Sequence, residues 1–244
     1  FLTNPDGNNQ NHFFSKSEKQ LNLVNFSDSK LYLNFQQVSD DTFLKTYDLK
    51  SPLINNVNSL KSSFGMNLNK EDLSFNTEFQ VFENLNADKT DRYEYVLPSY
   101  TLSKDLGYAF NKNGQSTFTS NGYIKNYDTN ITETSNVNDL MYDSDFSYSK
   151  IGLEKNYKIL IKNTNNKGTN SPSFKENTDH TIGSIFQYNV SYPLTKTVND
   201  YTDFLTPITT INFSPNKSKN NRNADTRIDA TNIFSLNRTG DPHS

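Results

Sequence analysis

The 244-residue sequence has no cysteine and no tryptophan, only four alanines (Ala87, Ala109, Ala224 and Ala230), and no long apolar run. Each absence excludes something. Without cysteine this chain can hold neither a disulfide framework nor a thiolate metal site, and it is silent about its redox compartment. Four alanines against 37 asparagines argue against a mainly helical protein, since alanine is the best helix former and asparagine prefers turns and caps. No apolar stretch approaches the roughly 18 residues of a transmembrane helix, so a membrane could be met only by strands. Charge of one sign is lacking too. The 24 Lys and Arg stand against 27 Asp and Glu with no long block of either, which makes nucleic acid an unexpected partner. The first residue is Phe1, and no basic segment followed by an apolar stretch comes after it, so an internal or processed piece is expected, with any targeting segment removed or upstream.

What is present pulls in two directions. A hydrophobic fraction of 32% and a mean hydropathy of -0.81 lean toward a weak core. Eighteen Phe and 14 Tyr argue the reverse, because disordered chains are poor in large rings. Period-2 alternation reconciles the two. Leu73, Phe75, Thr77, Phe79 and Val81 alternate with Ser74, Asn76, Glu78 and Gln80, and just before them Phe64, Met66 and Leu68 alternate with Gly65, Asn67 and Asn69. With the polar tetrapeptide 69–72 between them, these runs predict a hairpin. Asn113-Gly114, the pair best suited to a type I′ turn, predicts a second hairpin between 106–110 and 115–127. Further strands are expected over 30–37, 93–104, 146–153, 156–162, 181–194, 206–214 and 227–236, with polar loops at 163–173 and 216–223. The weak helical spacing of Val198, Tyr201 and Leu205 reads as a loop turn.

Several of these strands approach ten residues, the length a tilted membrane strand needs. In 181–194 the even positions carry Ile182, Phe186, Tyr188, Val190, Tyr192 and Leu194, while Ser184 and the odd positions Gly183, Gln187, Asn189 and Ser191 are small or polar. Such a strand can face lipid on one side and a wet lumen on the other, and alternation of this kind halves the apolar count. Tyr93, Tyr95, Tyr100, Tyr123 and Tyr127, near strand ends, suit interfacial girdles.

Residues that could carry chemistry are few. His12, His180 and His243 stand in no metal or triad spacing and read as loop histidines. Asp40-Asp41 and Asp143-Ser144-Asp145 lack the spacing of a calcium loop and read as solvated turns. Lys217, Lys219 and Arg222 could meet anionic headgroups, or simply form a mixed-charge loop. No glycine-rich phosphate loop, nucleophile elbow or carboxylate pair beside a histidine occurs, so neither an active site nor a cofactor is expected.

Four strings, in order, carry a family resemblance: Val38-Ser-Asp-Asp-Thr-Phe-Leu-Lys-Thr-Tyr-Asp48, Asp91-Arg-Tyr-Glu-Tyr-Val-Leu-Pro98 continuing to Lys104, Leu205-Thr-Pro-Ile-Thr-Thr-Ile-Asn-Phe-Ser-Pro215, and 225–238 ending Asn232-Ile-Phe-Ser-Leu-Asn-Arg238. They resemble the barrel segment of the LPS-assembly outer-membrane protein family (LptD, also called OstA or Imp), and the Asn and Lys excess is similar to that of alphaproteobacterial members. After Arg238 the sequence departs from the family pattern. The resemblance implies an all-β fold, an antiparallel meander of long amphipathic strands within a large outer-membrane β-barrel. Residues 1–244 would form a single partial barrel domain without the family's jelly-roll, signal peptide and disulfide cysteines. It further implies the cell outer membrane as location and the lipid bilayer as surroundings. The partners implied are lipopolysaccharide, a lipoprotein plug, and a periplasmic bridge protein reached through the jelly-roll. Transport of this kind is powered elsewhere, so no catalytic residue is implied and no gate or LPS-contacting residue can be assigned. At about 22 residues per strand with its loop, the chain supplies roughly ten to twelve strands, and a curved sheet with two open edges is expected rather than a closed barrel. Two other readings make different demands. A porin or receptor-type barrel would close from about these residues, and a secreted adhesin would turn Phe75, Phe79, Phe186 and Tyr188 into a shared dry core.

Overall fold

The computed structural model describes residues 2–3, 9–47, 51–54, 56–87, 91–108, 113–198 and 201–215. Short strands β1 (Leu2–Thr3) and β2 (Asn9–Gln10) pair with each other. The long strands follow: β3 (His12–Gln20), β4 (Asp28–Val38), β5 (Ser59–Lys70), β6 (Leu73–Asn84), β7 (Tyr93–Gly107), β8 (Gly114–Tyr127), β9 (Thr132–Ser144), β11 (Glu154–Thr169), β12 (Asp179–Ser191) and β15 (Ile208–Phe213). Between them lie β10 (Ser147–Tyr148), which pairs with β11, the hairpin β13 (Leu194–Val198) and β14 (Tyr201–Leu205), and one five-residue helix, α1 (Phe43–Tyr47). The main sheet has eleven strands in the order β15-β12-β11-β9-β8-β7-β6-β5-β4-β3 with β10 beside β11, a meander of the expected kind. Among the described residues no ladder joins β3 to β15, so the sheet is open, as the strand count implied. The expected strand 227–236, the string 225–238, the cluster Lys217, Lys219 and Arg222, and His243 lie outside the described residues.

The chain divides into two compact units, residues 1–102, 121–136 and 166–178 forming the first and 103–120, 137–165 and 179–244 the second. In the first, the β5–β6 hairpin is the one the alternation foretold, with Lys70 opposite Leu73 across the two-residue turn Glu71-Asp72. Leu33 stands opposite Phe64 and Phe64 opposite Phe79, so apolar residues of β4, β5 and β6 share one face. A small core sits at one end, where α1 buries Phe43 and Leu44 against Leu60 and Leu85. Asp40 caps that helix: its Oδ1 accepts the N–H of Thr42 at 2.8 Å, and its carbonyl accepts the N–H of Phe43. Strand β7 tolerates Pro98, which cannot donate to a ladder, because side chains fill in beside it. Thr77 Oγ1 donates to the Ser99 carbonyl at 3.1 Å and Ser99 Oγ to the Glu78 carbonyl at 3.2 Å.

The second unit corrects several expectations. Asn113-Gly114 is not the centre of a type I′ turn: neither residue has a positive φ, and Gly114 opens β8. Its glycine is needed for close approach, since a Cβ would lie 2.5 Å from the Asp143 carbonyl oxygen and 2.7 Å from the Ser144 Cα. Strand β9, the latter half of β11 and, in the first unit, β3 fall outside the strands expected from the sequence. Residues 163–169, read as loop, continue β11, and of the strand expected over 146–153 only β10 forms. Residues 201–205, read as a loop turn, are the return strand of a hairpin with Leu194 opposite Leu205. Chain 192–207 is thus an excursion, after which β15 returns to β12 with Tyr188 opposite Ile211.

Candidate functional site

Strand alternation gives each unit a polar face and an apolar one, and the polar face is where ionisable and hydrogen-bonding side chains gather. In the first unit the register places Glu18, Tyr32 and Gly65 in one row and Asn34 beside Ser63 in the next. The ammonium groups of Lys16 and Lys30 both approach the Glu18 carboxylate, at 3.1 and 3.3 Å, and Lys61 meets Glu78 at 3.0 Å. Asn34 Nδ2 donates to Ser63 Oγ at 3.3 Å, Gln80 Nε2 to Glu78 Oε2 at 2.6 Å, and Asn76 to Asn67. The hydroxyl end of the Tyr32 ring reaches over Gly65, where any Cβ would fall 2.4 Å from its Cζ and hydroxyl oxygen. Farther along, Lys125 pairs with Glu94 at 2.8 Å while lying 5.6 Å from the centre of the Tyr127 ring. A cavity of about 310 Å³ opens on this face between β3, β4 and β5, partly roofed by Pro52 and Leu53, and Gln36 Nε2 ties that roof down by donating to the Leu53 carbonyl.

The second unit repeats the pattern. Lys162, 2% exposed, has its ammonium group 3.3 Å from Asp139, and Lys158 pairs with Asp143. Asn189 Nδ2 donates to Asn156 Oδ1 at 2.9 Å, and Asn156 Nδ2 to Asp143 at 3.3 Å. The alternate positions of the same strands carry rings: Tyr157 lies 5.7 Å from Tyr142 and 6.1 Å from Phe186.

Burial follows an order opposite to that of a soluble sheet protein. Among the described residues thirteen polar or charged side chains are buried, including Ser116, Glu133, Asn156, Lys162 and Asn166, against ten hydrophobic ones. Large apolar side chains stand exposed instead, with Phe79 at 44%, Phe186 at 39% and Ile182 at 71%. The first two are residues that the adhesin reading needed in a dry core. Exposed apolar residues alternating with buried polar ones are what a strand facing hydrocarbon outside and water inside requires.

The loops at one end of the first unit are tied to one another. Arg92, just before β7, donates to both oxygens of Asp41 and, through Nε at 2.8 Å and Nη2 at 2.7 Å, to Glu83 Oε1. Those bonds hold the Asp41 carboxyl below the usual carboxylate range. The neighbouring Asp91 accepts from Thr129 Oγ1 at 2.6 Å, Asn170 donates to the Asn130 carbonyl at 3.3 Å, and Ser171 donates to Glu133. Asp91, Asn130 and Asn170 all adopt positive φ, which Asp and Asn tolerate better than most residues.

The sequence-predicted chemistry residues that lie among the described ones take the following places. Asp40 and Asp41 serve as helix cap and ion-pair partner, and Asp143 and Ser144 lie within β9 rather than in a turn. His12 and His180 lie in strands, not loops: His12 packs 5.1 Å from the rings of Phe14 and Phe43, and His180 Nδ1 bonds Asn165 at 2.7 Å. Among the described residues no group of three His, Cys, Asp or Glu could hold a metal ion. The Arg92 network went unforeseen, although both of its halves, Asp40-Asp41 and Asp91-Arg92, lie inside strings noted for their resemblance. Compared with known proteins, residues 8–241 match the family model of LptD, LPS transport system D. No curated protein matches the chain.

Proposed function

The chain belongs to the LptD family, and from that premise we propose that residues 1–244 form one stretch of the wall of an outer-membrane barrel that inserts lipopolysaccharide into the outer leaflet. One observation carries the reading: polar side chains are buried on one side of long strands while Phe64, Phe79, Ile161, Ile182 and Phe186 are exposed on the other. A wall of this kind solvates a sugar headgroup on its wet side and meets acyl chains on its dry side, and neither task calls for a catalytic group. The lipopolysaccharide itself, the surrounding bilayer, a lipoprotein plug in the lumen, and a periplasmic bridge reached through a jelly-roll elsewhere in the protein are the partners this role requires. A porin-type pore for small solutes is the competing reading, and the depletion experiment separates the two.

Conditional depletion of the full-length protein tests the proposal. Newly made lipopolysaccharide should fail to reach the cell surface, as read by labelling intact cells, while uptake of small hydrophilic solutes stays unchanged. Normal surface lipopolysaccharide together with lost solute uptake would overturn it in favour of the pore.

A further inference from the structure

The cavity between β3, β4 and β5 has a composition that a mere gap in a wet wall does not need. Three ammonium groups, those of Lys16, Lys30 and Lys61, border it, whereas two carboxylates neutralise them, Glu18 shared by the first two and Glu78 serving the third. One positive charge is therefore left over. The Tyr32 ring, whose hydroxyl end reaches over Gly65 where no side chain intervenes, lines the same cavity alongside the carboxamides of Asn34 and Asn67. A ring that can take a sugar's C–H face, carboxamides that can both donate and accept, and a surplus cation describe a site for a hydroxyl-rich ring bearing a negative charge. A volume of about 310 Å³ suits one monosaccharide rather than a chain. Pro52 and Leu53 border the cavity as well, held there by the Gln36 carboxamide, so it is bounded on more than its floor.

The geometry points to a subsite on the polar face that binds an anionic sugar, phosphorylated or carboxylated, through Lys16, Lys30 and Lys61 with Tyr32 as stacking platform. The inference rests on the transport reading, for which it names a stopping point of the saccharide inside the wall.

Titration of the full-length protein in detergent with glucose 6-phosphate, glucose and inorganic phosphate, followed by NMR saturation transfer, tests it. Glucose 6-phosphate should bind best. Replacing the lysines together (Lys16→Gln, Lys30→Gln, Lys61→Gln) should weaken it by about ten-fold or more, the scale of a lost charge-assisted hydrogen bond. Glu18→Gln, which frees two ammonium groups without removing any, should tighten it, and Lys70→Gln at the hairpin turn should change nothing. The opposite signs of the lysine and Glu18 variants keep the test decisive even if the triple variant folds poorly. Glucose or phosphate binding as well as glucose 6-phosphate, or Glu18→Gln weakening binding, would overturn the assignment. Titration reads the cavity alone and depletion reads transport alone, so each can fail without the other.

Discussion

Arg92 and Asp41, fifty-one residues apart, are joined by a two-pronged ion pair in which Nη1 and Nη2 each donate to one carboxylate oxygen. Glu83 completes the site from the end of β6, so one guanidinium ties together the loop carrying α1, the end of one strand and the start of another. Arginine suits this position because its planar fork serves two carboxylates at once, which a lysine cannot copy. Arg92→Lys and Arg92→Ala should therefore both destabilise the protein, by about 1–2 kcal/mol for alanine given the partial exposure of the pair. Urea unfolding in vesicles, run as a cycle with Asp41→Ala, should show coupling between the two positions. Additive effects would mean that the pair contributes nothing.

The same pair should give stability a pH signature. The folded-state pKa of Asp41 is depressed by its hydrogen bonds to Arg92. A depressed carboxylate contributes stability above its unfolded value of about 3.9 and loses it as pH falls through the lower folded value. The gap in unfolding midpoint between wild type and Asp41→Asn should thus be constant from neutral pH down to about pH 5 and shrink below about pH 4. A gap that grows on acidification would contradict the assignment.

Gly114 is required for space. A Cβ there would meet backbone on two sides, the Asp143 carbonyl oxygen and the Ser144 Cα, neither of which can swing away as a side chain could. Gly114→Ala should cost about 1–3 kcal/mol by overpacking, and a Gly107→Ala variant separates that effect from backbone strain. Gly107 has φ 55° with nothing within 4 Å of a Cβ, so its penalty comes from conformation alone. Gly114→Ala unfolding no earlier than wild type would refute the close approach.

Where one face of a strand is apolar, the sequence was enough to find it: Leu73 to Val81 alternates cleanly, and β6 runs with its register fixed by Phe64 and Phe79. Strand β9 escaped notice because Glu133, Ser135, Asn136 and Asn138 make both of its faces polar over the first half, and residues 163–169 of β11 escaped for the same reason. A polar side chain buried toward a wet face leaves no hydropathy signal. Asn113-Gly114 misled because the pair signals small size as well as positive φ, and here only size is used. Helical spacing at Val198, Tyr201 and Leu205 was too sparse to outweigh the pairing of Leu194 with Leu205. The Arg92 network could not be read at all, since partners fifty residues apart in sequence leave no periodic trace.

The two faces should respond differently to charge. Phe79→Arg places a guanidinium where an exposed apolar ring stands and should reduce folding into vesicles by about 2–4 kcal/mol if the site lies near the bilayer midplane. Gln80→Arg, one residue on and facing the other way, should cost far less. Equal losses at the two positions would mean that the strand does not separate lipid from water.

The orientation of the wall can be read most directly by single-cysteine spin labelling in lipid vesicles, with a natural background of no cysteine in this chain. Labels at Phe64, Phe79, Ile182 and Phe186 should collide readily with dissolved oxygen and poorly with a water-soluble nickel chelate, and labels at Ser63, Gln80, Gly183 and Gln187 should show the reverse, with period 2 along each strand. The opposite phase, or a chelate-accessible signal at every position, would show that the exposed apolar face does not meet the bilayer.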